Sequence, residues 1–202
     1  MSGGCFNSGK TAIRPDSNLK HPTLLFTMNH FEFYGLPVSF AVDEAAVRRI
    51  YLLNSKKYHP DFHTLSDETE QTRVLELSTR NNEAFKTLSD ADNRVRYVLE
   101  IKGLLGKEHE NQRLPQEFLM EMMDINEALM ELEFDFDQAR FEATLKSVQL
   151  LENELETQIE PVLSSWTENT GTAADLLLVQ EYFFKKRYLL RIKENLSKFA
   201  PA

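Results

Sequence analysis

The side chains best suited to chemistry cluster near position 60: His59, Pro60, Asp61 and His63. Imidazoles and carboxylates are common ligands of zinc and iron, and the alternation His59-x-Asp61-x-His63 could converge on an extended loop. A metal-dependent hydrolase is one reading of that pattern, although no further ligand cluster accompanies it and His63 can simply be solvated. A second reading is a contact surface, because proline fixes its own φ and so holds the imidazole and the carboxylate in a defined loop geometry. In the plainest reading Asp61 caps a turn and His59 packs against Tyr58. Other enzyme signatures do not stand out. There is no Gly-rich phosphate loop, no Ser/His/Asp arrangement with local support, and Cys5, the single cysteine, has no plausible nucleophile setting. No cofactor and no bound metal are expected.

The elements that must position these residues are helical. Residues 30–37 read as one short turn stopped by Gly35 and Pro37. Asp43 is a good N-cap for a helix of about fifteen residues, with Val47, Ile50, Tyr51 and Tyr58 inward and Arg48, Arg49, Lys56 and Lys57 outward. Asn54 falls on its inward stripe. His59-Pro60 ends the helix, because the residue before proline is pushed out of the α region. After a loop of roughly eight residues, Asp67 and Glu70 start a second helix in capping-box fashion, with Leu77, Asn81, Ala84 and Leu88 on one face. The two form an antiparallel pair. Ser89 with Asp92 is expected to cap a third helix that ends at Gly103 and Gly106.

Residues 104–114 read as a linker and hinge, and Pro115 suits the first position of a helix. Phe118, Met122, Ile125, Leu129 and Leu132 then follow spacings of 4, 3, 4 and 3, an a/d seam. The next helix carries Phe141, Leu145, Val148, Leu155, Ile159 and Val162, with Pro161 expected to kink or end it. After a turn at 169–172 the last helix carries Leu178, Tyr182, Leu189, Ile192, Leu196 and Phe199. These make an up-down-up three-helix bundle. The fold class is all-α, with a helical hairpin domain before the bundle.

Two groups of apolar residues exceed what the seams need. Leu119, Met120 and Met123 flank the seam at Phe118, and Phe183 and Phe184 flank Tyr182. Such a second stripe either widens the core or faces a partner. Charge is also divided. The chain has 202 residues and a formal net charge of −9. Residues 117–160 hold 13 acidic and 2 basic side chains, whereas residues 45–58 hold four cations and no acid. An acidic half and a basic strip point to two different partner surfaces. The acidic balance argues against general nucleic-acid binding, and no apolar run approaches a membrane span. Residues 1–28 have no apolar periodicity and read as unstructured, or as lying ahead of a true start at Met28. A transit peptide is a further reading, since Lys10, Arg14 and Lys20 outnumber Asp16.

Short helix, basic helix, His59-Pro60-Asp61, loop, and a helix with Ala84-Phe85-x-x-Leu88: together these resemble a J-domain. The opening Phe31-x-Phe33-Tyr34-Gly35-Leu36-Pro37, the stretch Leu88 to Gly103 and the run Phe118-Leu119-Met120-Glu121-x-Met123 narrow the likeness. They resemble the HscB-type J-domain co-chaperones of iron–sulfur cluster assembly, over about residues 29–200. The resemblance implies a J-domain at 29–103 and a scaffold-binding bundle at 115–200. It implies that His59, Pro60 and Asp61 contact an HscA- or DnaK-type ATPase chaperone, steered by Arg48, Arg49, Lys56 and Lys57. It also implies that Leu119, Met120 and Met123, with Phe184 or Phe183, hold an IscU-type scaffold. The chain would then be a cytoplasmic partner protein and not an enzyme. A J-domain co-chaperone with another client is the alternative. Phe62 stands where the family usually has lysine, and Asn54 where an apolar residue is usual. The cysteine-rich N-terminal module of eukaryotic members is missing, which makes the likeness one to the bacterial type.

Overall fold

The computed structural model describes residues 28–106 and 114–199, so residues 1–27, and 107–113 of the expected hinge, lie outside the described residues. Seven α-helices are described: α1 (His30–Tyr34), α2 (Glu44–Lys57), α3 (Glu68–Ser89), α4 (Ala91–Ile101), α5 (Gln116–Phe134), α6 (Gln138–Ser165) and α7 (Ala173–Ser197). A single 3-10 turn, Pro60–His63, joins α2 to α3. Among the described residues the one β pairing is an isolated bridge between Ser39 and Thr167.

Side-chain caps set most of the helix starts. Asn29 and Glu32 form a complete capping box on α1, which ends on Gly35 at φ +65°, a conformation that suits a residue without Cβ. Asp43 accepts from the N–H groups of Ala45 and Ala46, and Asp67 accepts from Glu70 N–H. The cap of α4 is Asp90, not Ser89: its carboxylate accepts from Asn93 N–H, while the Ser89 hydroxyl donates back to the Phe85 carbonyl. Pro115 is the N-cap of α5, one place earlier than the composition suggests. Pro161 does not end α6, which runs on to Ser165. The missing N–H is tolerated because Ile159, Val162 and Leu163 pack on the core on either side of it.

The α2–α3 hairpin is tied by one buried side chain. Asn81 donates to the Tyr51 carbonyl (3.1 Å) and to Ser55 Oγ (3.0 Å), and accepts from Tyr34 OH (3.0 Å). Every group of this buried amide that can be satisfied locally is used, so three helices are held in register. Tyr51 stacks on Phe85 at 4.2 Å across the same pair. Farther toward the tip, Tyr58, Val74 and Leu77 form a small separate cluster.

Two large cores follow. The bundle core holds all five seam residues anticipated for α5, Phe118, Met122, Ile125, Leu129 and Leu132, with Phe141 and Val148 of α6 and Leu189, Ile192 and Leu196 of α7; Leu178, expected inward, is exposed instead. The other core crosses from the hairpin into the bundle. Phe31, Tyr34, Val38, Phe40, Val47, Leu88, Val95, Val98 and Leu99 share it with Ile159, Trp166, Val179 and Tyr182. Polar links reinforce the join. Ser39 Oγ donates to the Trp166 carbonyl, Glu168 N–H to Val38, and Gln180 Nε2 to the Leu104 carbonyl at 2.6 Å. Buried Arg94 donates to the carbonyls of Phe40 and Leu88. The hairpin domain and the bundle are therefore one packed body at this seam.

Candidate functional site

The hairpin tip is built by the end of α2, the 3-10 turn and the start of α3. His59 is the N-cap of the 3-10 turn, and its Nδ1 accepts from Asp61 N–H at 3.3 Å. The same Nδ1 lies 3.7 Å from Asp61 Oδ2. Pro60 at the first turn position sets the φ that brings both groups side by side. All three side chains are exposed, and so is Phe62, whose ring leans on His59 at 5.6 Å. His63 is spent locally, donating from Nε2 to the Lys57 carbonyl at 3.1 Å. His59, Asp61 and His63 do not converge, and among the described residues no group of three or more His, Cys, Asp or Glu side chains is placed to hold a metal ion. A groove of about 370 Å³ lies beneath the tip, bordered by Pro60, Asp61, Thr64 and the first turns of α3.

Arg48, Arg49, Lys56 and Lys57 all lie on the exposed face of α2. Between them the structure exposes Leu52 and Leu53, so this basic strip has an apolar centre that the charge pattern alone did not reveal.

The surplus apolar residues divide. Leu119, Met120 and Met123 stand together on the outer face of α5, 42, 59 and 67% exposed. Phe183 does not join them: it is half-buried against the shared core, with Arg187 over its ring at 5.6 Å. Phe184 is half-buried and belongs to neither core, touching Phe183 edge-on at 5.7 Å. The α7 aromatic that meets α5 is Tyr188, which the sequence reading missed. It lies edge-on to Phe118 at 5.9 Å, and its hydroxyl accepts from Asn126 at 3.0 Å. Its i+4 relation to Phe184 was the available signal.

The electrostatics separate the two surfaces. The acidic α5–α6 region is partly paired, by Glu131 with Arg140, Glu152 with Lys193 and Glu156 with Lys186. Burial pulls Lys186 down, but its bond to Asp92 and the neighbouring Tyr182 more than offset that and hold its pKa above the ordinary lysine value. The Lys186–Asp92 contact, 2.8 Å, joins α7 to α4 and is thus another link between hairpin domain and bundle.

Residues 114–197 match the family model described as HSCB C-terminal oligomerisation domain. The chain is 31% identical over 138 residues to the Co-chaperone protein HscB homolog of Chromobacterium violaceum, covering 68% of this chain and 78% of that one. The chain belongs to the HscB co-chaperone family. Over 174 residues it is 30% identical to the human Iron-sulfur cluster co-chaperone protein HscB, covering 85% of this chain and 68% of the human one. The HscB homolog of Haemophilus ducreyi is 29% identical over 174 residues, 85% of this chain and 99% of its own. The solved human HscB structure superposes with a TM-score of 0.65 at 24% identity over 97% of this chain and 94% of that one, and HscB from Vibrio cholerae with 0.59 at 22% over 85% and 96%. The all-α fold, a J-domain followed by a three-helix bundle, is thus the HscB fold. Relatives of this HscB-family chain are named as co-chaperones and not as enzymes. Among the described residues no helix is long and apolar enough to cross a membrane.

Proposed function

We propose that this chain binds an IscU-type iron–sulfur scaffold on its bundle and delivers it to an HscA- or DnaK-type chaperone, whose ATPase it stimulates through the hairpin tip. One observation carries the reading. An exposed His59-Pro60-Asp61 tip and an exposed Leu119/Met120/Met123 stripe belong to a single packed body. Two partners bound to one rigid connector meet in an effectively intramolecular step, at high effective concentration. The protein's own contribution is positional, and the ATP chemistry resides in the chaperone.

Each surface has a physical rationale. Arg48, Arg49, Lys56 and Lys57 steer an acidic chaperone face, raising the association rate and setting register. The turn then presents His59 and Asp61 in fixed relation. On the bundle, methionine suits a partner that must be released, since its flexible thioether adapts to varied surfaces. Phe184 supplements this stripe in preference to Phe183, which the shared core already occupies. The division into J-domain 29–103, linker 104–114 and bundle 115–200 describes which residues serve which partner. The protein acts in the cytoplasm, neither on nucleic acid nor at a membrane.

The test is a steady-state ATPase assay of purified chaperone with and without scaffold. Wild-type protein raises turnover, and the increase is larger with scaffold present. Asp61→Asn or His59→Gln abolishes the increase while scaffold binding is kept. Wild-type stimulation by both variants overturns the tip assignment. Stimulation that is indifferent to scaffold, with no scaffold binding by the full chain, indicates a J-domain co-chaperone with another client.

A further inference from the structure

The exposed stripe on α5 does not stop at Met123. Met130 is 71% exposed and Phe134, at the end of the helix, 95%. At 100° per residue Leu119, Met123, Met130 and Phe134 fall within about 60° of one another, facing away from the seam of Phe118, Met122, Ile125, Leu129 and Leu132. From Leu119 to Phe134 the stripe is about 22 Å long. Phe136, just beyond the C-cap, leans on Phe141 at 6.0 Å and extends the apolar surface around the corner.

The same end of the helix breaks a second rule. Glu131 and Glu133 lie in the last turn of α5 and Asp135 is its C-cap, with no basic residue in that turn. Carboxylates at a helix C-terminus oppose the helix dipole, so this arrangement disfavours the isolated helix. Among the described residues Glu131 is compensated by Arg140, and Glu133 and Asp135 have no ion pair. A nearly bare phenylalanine next in sequence to carboxylates that oppose the helix dipole is the local inconsistency expected of a functional surface.

Taking the scaffold assignment as its basis, we propose that α5 is one continuous docking ridge. The scaffold bound at Leu119 and Met123 also covers Met130 and Phe134, with an apolar patch rimmed by lysine or arginine facing Glu133 and Asp135. Apolar anchors supply lifetime, and the opposed charges supply association rate.

The experiment is scaffold binding by full-length protein, read as Kd and association rate at low and high salt. Met130→Ser with Phe134→Ser weakens Kd by at least about tenfold without lowering Tm, since neither side chain is in a core. Glu133→Gln with Asp135→Asn slows association at low salt and flattens its salt dependence. If Leu119→Ser with Met123→Ser loses binding while the Met130/Phe134 variant keeps the wild-type Kd, the continuous ridge is wrong and the shorter site stands. If neither apolar variant changes Kd, the scaffold assignment itself falls. An unchanged salt slope in the charge variant overturns the basic rim.

Discussion

At the hairpin tip His59, Pro60, Asp61 and Phe62 face solvent and contact mainly one another. At the other end of the hairpin domain, Phe40, Leu88 and Val98 are closed in by Trp166, Val179 and Tyr182 from the bundle. One region spends its side chains outward, and the other uses them to remove any freedom between the two units. Under the proposed function, this difference separates partner contact from structural support. Substitutions at the tip should change function without changing stability, and substitutions at the seam should do the reverse.

The sharpest break of this contrast lies at Trp166. Its ring is buried, tilts against Phe40 at 4.8 Å, and among the described residues its Nε1–H has no hydrogen-bond partner. Trp166→Ala should cost about 3–5 kcal/mol in urea unfolding followed by circular dichroism. Trp166→Phe should cost much less, because it keeps a ring and deletes the orphaned donor. Gly171→Ala tests the same seat from the other side, since a Cβ there would overlap the Trp166 indole. Its Tm should fall, and a wild-type value would mean that the indole has room to move.

Next in size is the bundle surface. Leu119→Ser with Met123→Ser should weaken scaffold binding by about 2 kcal/mol or more while leaving Tm near wild type. A large drop in Tm with unchanged binding would instead make those residues core. At the tip, Asp61→Asn should shift unfolding stability by no more than about 0.5 kcal/mol, the range of exposed sites without special roles. A larger loss in urea titration would show that the tip supports the hairpin.

The smallest effect concerns acid. His30 sits against Tyr97 with ring centroids 4.6 Å apart, and its Nδ1 is buried without a hydrogen-bond partner among the described residues. Burial, and then the charge of Arg80, hold its pKa below the ordinary 6.5, while Glu83 acts weakly the other way. The unfolded chain therefore binds the proton more readily. Stability from the neutral ring is complete above about pH 6.5 and is lost as pH falls through the folded-state pKa. Melting curves between pH 7.5 and about 5 should show a steeper decline for wild type than for His30→Phe, which stacks but cannot titrate. Equal declines would remove His30 as the source.

Caps, seams and the tip were readable because they depend on neighbours within a few residues. Asp43, Asp67 and the 3- and 4-residue spacing of Phe118 to Leu132 needed no tertiary knowledge. The choice of Asp90 over Ser89 was not readable, since both can cap and the outcome depends on where the Ser89 hydroxyl finds a carbonyl. The continuation of α6 through Pro161 was equally hidden: packing of Ile159 and Trp166 against the hairpin domain outweighs one missing hydrogen bond.

The amino-acid order by itself determined that the chain is helical, where its hairpin turns, and that His59, Pro60 and Asp61 occupy the turn. Periodicity and capping are local, and a proline acts on its own residue and the one before it. Only the tertiary structure decided which surplus apolar side chains stay in water, that Phe183 is taken by the core while Met130 and Phe134 are not, and that hairpin domain and bundle share one interior. Those outcomes depend on which helix faces are covered by residues distant in the sequence, and burial of apolar area carries no label in the sequence saying against what it will occur.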